Sequence, residues 1–169
     1  MFPLSSGLAS VDRSAKAEGA ESCGRSFDLH ERLLEELVRH AQDCLPEECC
    51  GVLIGAGSSV YRTVAVENAS PQNRRREYLA APQAILESWL AARADGLEIV
   101  GYYHSHPSGS ATPSALDRRE AWPGTSYVIL GMKGRDLREV KCWRSGPGDS
   151  GWVEDRFVDE KLNCDRSRK

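Results

Sequence analysis

No apolar run in this chain approaches the roughly 20 residues that a membrane-spanning helix needs, so the sequence offers no such helix. The opening stretch MFPLSSGLAS lacks both a basic n-region and a long apolar h-region, so no signal peptide is expected, and the cytoplasm is the expected compartment. Neither sign of charge is in excess: 22 basic residues stand against 25 acidic ones, which leaves no electrostatic footprint for nucleic acid or an anionic membrane. The six cysteines include no C-x-x-C pair of the kind that holds structural zinc. Without an export signal a disulfide framework is not expected either, and buried free thiols are the better reading. Cys49 and Cys50 are adjacent in an apolar run, where their side chains would point to opposite faces of a strand.

What is present fits one α/β (α+β) domain. The 169 residues, 40% hydrophobic and 28% charged, can bury a proper core but are too few for two domains. Residues 1–25 read as a disordered leader, 26–160 as the folded domain and 161–169 as a flexible tail. Helical spacing of Leu29, Leu33, Leu34, Leu37, Val38 and Ala41 predicts a first helix, ended by Pro46. Cys49–Gly55 and Ser59–Glu67 predict a hairpin, followed by a loop carrying Pro71 and the run Arg74, Arg75, Arg76. Pro82–Ala94 predicts a second, amphipathic helix with Ile85, Leu86, Trp89, Leu90 and Arg93 on one face, Gln83 and Glu87 exposed, and Gly96 at its C-terminal end. Leu97–His104 is the strongest strand. Thr112-Pro113 then predicts the N-cap and first position of a short helix reaching Trp122, and three strands follow at Thr125–Leu130, Leu137–Trp143 and Trp152–Val158. The four tryptophans read as core or partly buried, and His30, His40 and Glu47 as surface residues.

The chemistry is concentrated in His104-Ser105-His106-Pro107, with Ser114 and Asp117 beyond it. Two histidines two apart at a strand end emerge on one side. Ser114 and Asp117, three apart at a helix start, also share a face. Catalytic zinc takes three ligands from His and Asp/Glu and keeps a fourth position open, which His104, His106 and Asp117 can supply. Taken singly, each residue has a plainer role: an H-x-H pair in a hydrogen-bond network, an aspartate favoured by the helix dipole, a serine cap.

The ordered pattern, recurring by chance in only about one chain in a thousand, resembles the signature of the JAMM/MPN+ (JAB domain) zinc metalloproteases, in their compact prokaryotic branch. That family carries an upstream glutamate in a Glu-x-Cys-Gly context, matched here by Glu48 ahead of Cys50-Gly51, 56 positions before His104. The resemblance covers residues 27 to about 160 and implies a cytidine-deaminase-like architecture, a curved mixed sheet flanked by helices. It implies one Zn2+ per chain on His104, His106 and Asp117, with Glu48 as general base and Ser114 stabilising the oxyanion. The implied reaction is hydrolysis of the amide or isopeptide bond after the C-terminal tail of a ubiquitin-like or sulfur-carrier protein. A non-catalytic scaffold of the MPN type is the alternative, disfavoured because all five residues are kept. The arginine run is a further candidate for partner docking, though a solvated loop accounts for it.

Overall fold

A computed structural model describes residues 25–146 and 151–158, so most of the expected leader and all of the expected tail lie outside the described residues. The elements follow as β1 (Ser26–Phe27), α1 (Glu31–Cys44), β2 (Cys50–Ala56), β3 (Ser59–Val66), α2 (Pro82–Ala94), β4 (Glu98–His106), α3 (Ala115–Glu120), β5 (Ser126–Lys133), β6 (Asp136–Ser145) and β7 (Trp152–Phe157). The strands form one sheet in the order β1-β7-β6-β5-β4-β2-β3. The β4–β5 and β1–β7 pairs are parallel and the rest antiparallel. Register shifts in β2 and at Gly131/Met132 mark bulges, which bend and twist a sheet locally.

The two faces of the sheet carry different layers. On one, α1 buries Leu33, Leu34, Leu37 and Ala41 against Cys49, Leu53, Tyr103, Val128 and Leu130. On the other, α2 covers Cys50, Val52, Ile54 and Val66. Cys49 and Cys50 therefore do face opposite layers. Cys44, Cys49, Cys50 and Cys142 are free, while Cys23 and Cys164 lie outside the described residues.

Several expectations need correction. β1 has no counterpart in the sequence reading; its two residues pair with the last strand, a contact no local pattern encodes. β4 runs on to His106 rather than stopping at His104, because Ser105 and His106 keep ladder partners in Leu130 and Gly131 of β5. α3 begins after Ser114 rather than Thr112, since Ser114 and Asp117 close a capping box that satisfies two backbone N–H groups, and it ends at Glu120.

The fourth concerns α2, which is turned relative to its expected orientation. Its buried residues are Ser88 and Ala92, with Ala84 packed in line, while Leu86 and Leu90 are half exposed and Trp89 is 42% exposed. Small residues at i, i+4 and i+8 let the helix lie close to the sheet. The Ser88 hydroxyl donates to the Ala84 carbonyl at 2.7 Å, which makes its burial inexpensive. Trp122 is likewise 59% exposed, edge-on to Tyr102, so two of the four tryptophans are not core.

His40, expected at the surface, is half-buried. Its Nδ1 lies 2.9 Å from the Tyr103 hydroxyl, and burial lowers its pKa. Tyr103 is thus fixed from α1 while its ring lies over Gly51. A methyl at Gly51 would run into that ring and the Val64 carbonyl. Gly51→Ala should cost about 1–3 kcal/mol through overpacking, read as a lower urea midpoint at unchanged slope.

Candidate metal centre

Strand alternation puts Tyr102, His104 and His106 of β4 on the α2 face and Tyr103 and Ser105 on the α1 face. The imidazoles of His104 and His106 converge, Nε2 to Nε2, at 3.1 Å. Asp117, at the third position of α3, closes the group: Oδ1 is 3.5 Å from His104 Nε2 and Oδ2 3.3 Å from His106 Nε2. One donor atom from each residue falls within 4.8 Å of the others. Structure therefore brings together all three residues that the sequence pairs with a metal.

Each donor is aimed by its surroundings. His106 Nδ1 lies 2.9 Å from the Ser110 carbonyl; a carbonyl only accepts, so Nδ1 carries the proton and leaves Nε2 for a cation. The Ser110–Ala111 segment is itself held by β6: Glu139 accepts the Ala111 N–H at 2.8 Å, and Trp143 Nε1 donates to the Ala111 carbonyl at 2.7 Å. Asp117 Oδ2 accepts the Ser114 N–H at 2.6 Å, and Ser114 Oγ accepts the Asp117 N–H at 3.1 Å. Ser114 thus caps the helix and at the same time fixes the Asp117 carboxylate.

Glu48 precedes β2 by two residues. The register Cys50↔His104, carried two residues further, sets it opposite His106. Its N–H donates to the Arg74 carbonyl at 2.7 Å, and its carbonyl accepts from Asn68 Nδ2 at 3.0 Å. Burial pushes the Glu48 carboxyl up to about 8, with His106 opposing and Asp117 and Glu77 adding to the rise. Burial favours a carboxylic acid at Asp117 too, but hydrogen bonds from His104 and His106 reverse this and hold it far below the usual carboxylate range. His104 is lowered by burial, against the pull of Asp117. Burial also works to lower His106, but Asp117 and Glu48 outweigh it and the net shift is upward. A buried cluster with two facing imidazole nitrogens and two carboxyl groups suits a divalent cation, and the His2Asp donor set suits zinc.

A cavity of about 730 Å³ opens beside Asp117. Ile99, Tyr102 and Tyr127 of the sheet line it, with Ile85, Leu86 and Trp89 from α2 and Leu116 and Trp122 from the α3 segment. Sequence reasoning missed this groove because it took Leu86, Trp89 and Trp122 as inward-facing. It also missed Asn68 and Tyr78. Asn68 opens a turn-rich loop, a cue that signals backbone bonding but not its target. Tyr78 reaches His104 across 26 positions, and no local signal marks that contact. Arg74 is engaged through Ser70 and Glu47, whereas Arg75 and Arg76 are exposed.

Known proteins place this geometry in a lineage. A protein of Thermus thermophilus described as a probable TtuB-protein conjugate cleaving protease is 38% identical over 102 residues, covering 60% of this chain and 68% of that one. A desampylase of Haloferax volcanii is 37% identical over 113 residues, covering 64% of this chain and 79% of its own. A JAB1/MPN domain protein from Archaeoglobus fulgidus matches 80% of this chain and 100% of its own with a TM-score of 0.51; at 20% identity that likeness carries the fold alone. The family described as prokaryotic homologs of the JAB domain matches residues 30–146, and the chain belongs to it.

Proposed function

We propose that this chain is a cytoplasmic zinc metallopeptidase that hydrolyses the amide or isopeptide bond following the C-terminal tail of a ubiquitin-like or sulfur-carrier protein. The observation that carries this reading is the convergence of His104, His106 and Asp117 beside a buried glutamate at the end of an apolar groove. The relatives named as a desampylase and a conjugate-cleaving protease support the substrate class. An architectural role alone would leave the converged donors without a use.

His104 and His106, through Nε2, and Asp117, through a carboxylate oxygen, would hold the ion. Zinc bound there supplies Lewis-acid polarisation of a carbonyl and makes water more acidic. Glu48 takes the proton of the attacking water and returns it to the leaving amine. Ser114 Oγ, already accepting the Asp117 N–H, keeps its own hydroxyl proton to donate to the oxygen that gains charge.

The groove suits a tail of this kind. Its floor at Tyr102 lies two residues along β4 from His104, about 7 Å of extended chain. A tail with an apolar residue over Tyr102 would reach the centre through two further residues, which is the spacing of a terminal Gly-Gly. Small residues at those positions pass closest to the buried donors.

Metal analysis of the isolated protein should find about one zinc per chain, lost in His104→Ala and Asp117→Ala; wild type without stoichiometric metal would sink the proposal. Glu48→Gln should keep zinc and lose cleavage of a fusion placed after a ubiquitin-like Gly-Gly terminus, and retained turnover would remove Glu48 as the base. Leu86→Asp should raise KM about tenfold with kcat nearly unchanged, the mark of lost uniform binding.

Glu48 also gives a stability prediction. Its folded pKa lies above its ordinary value of 4.5, so the folded state holds this proton more tightly than the unfolded chain. Its contribution is full below about 4.5 and lost as pH rises through about 8. Glu48→Gln should therefore stabilise the metal-free protein at about pH 9 by on the order of a few kcal/mol, and change it little at about pH 4. Denaturant unfolding at the two pH values reads this difference, and equal effects at both would contradict it.

A further inference from the structure

The two histidines differ in what orients them. His106 has the Ser110 carbonyl on its Nδ1. His104 Nδ1 is buried and has no hydrogen-bond partner among the described residues. Histidines that bind metals almost always use the second nitrogen to fix the plane of the ring. At His104 no described residue supplies that device. In its place the Tyr78 ring lies against the imidazole, centroid to centroid 4.5 Å, with the planes 27° apart.

We infer that Tyr78 is the positioning residue for His104, its aromatic ring setting the imidazole plane that a hydrogen bond sets for His106. The inference rests on His104 being a metal ligand. The loop around Tyr78 is built to present that ring. Asn68 Oδ1 accepts the Leu79 N–H at 3.1 Å, and Asn68 Nδ2 donates to the Glu77 carbonyl at 3.1 Å, so the backbone is clamped on both sides of Tyr78. The same Nδ2 donates to the Glu48 carbonyl, which ties the placement of the ring to that of the glutamate.

The physics favours the loaded site. An imidazole that has given its lone pair to a cation carries partial positive charge, and the electron-rich face of a tyrosine attracts it. The stacking contact therefore strengthens on metal binding. The role belongs to the ring and not to the hydroxyl, which separates it from ordinary hydrogen-bonded support.

Zinc affinity, measured by competition with a chelating indicator, tests this on wild type, Tyr78→Phe and Tyr78→Leu. Phe should bind within about twofold of wild type, and Leu should bind about 10- to 100-fold more weakly. The visible absorption of the cobalt-substituted protein should match between wild type and Tyr78→Phe. Leu at wild-type affinity, or Phe falling as far as Leu, overturns the inference while leaving the metal centre intact. If Tyr78→Leu does not fold, NMR of metal-free wild type decides: the carbon-bound ring protons of His104 should be shifted upfield by the Tyr78 ring current, and unshifted signals overturn the stacking role. Wild type that takes up no zinc overturns the metallopeptidase reading itself.

Discussion

The pairing of β2 with β4 is the constraint on which the site depends. Cys50 stands opposite His104, and the pairing is locked just before the start of β2, where the Ser105 N–H donates to the Cys49 carbonyl and Ser105 Oγ accepts the Cys49 N–H. A slip of one residue would send both histidines to the α1 face and Ser105 into the site. The register is further held because Gly51 permits the close approach of Tyr103, which α1 fixes through His40. Glu48 therefore has its place before any ligand binds.

Packing four ionisable side chains into one sheet face is costly unless each is compensated. Asp117 has the Ser114 N–H and the two imidazoles, and His106 has Ser110. Glu48 has its backbone secured at both ends, yet its carboxyl still rises to about 8, so part of the desolvation cost persists in the metal-free protein. A cation near these groups would reverse that balance, since its charge favours the ionised form of each carboxyl. Metal binding here would therefore couple to folding stability through Glu48 as well as through His104, His106 and Asp117.

Legibility in the sequence followed the range of the interaction. The two main helices and six of the strands follow local periodicity, and the structure places them within a few residues of their expected bounds. His104 and His106 are legible as a pair because strand alternation is local, and Ser114 with Asp117 because a helix turn is local. Glu48 was accessible only through the resemblance to a family, since register across 56 positions is not written in either segment. Tyr78, Asn68 and β1 act through tertiary contacts and left no local signature. α2 misled for a different reason: the apolar face of a helix is assumed to point inward, and here small residues won the interior.

That inversion connects the fold to its use. Had Leu86, Trp89 and Leu90 packed on the sheet, their bulk would have pushed α2 away and filled the space over Ile99 and Tyr102. Packing through Ala84, Ser88 and Ala92 gives up burial of three large side chains, each able to contribute about 1.5–3 kcal/mol when fully buried. It leaves an apolar wall beside the candidate metal centre instead. Contiguous exposed apolar surface of this kind is uncommon without a partner to cover it. Burial forgone within the chain is thus available to whatever fills the groove, which under the proposed function is an extended tail, with Asp117 where that groove meets the candidate metal centre.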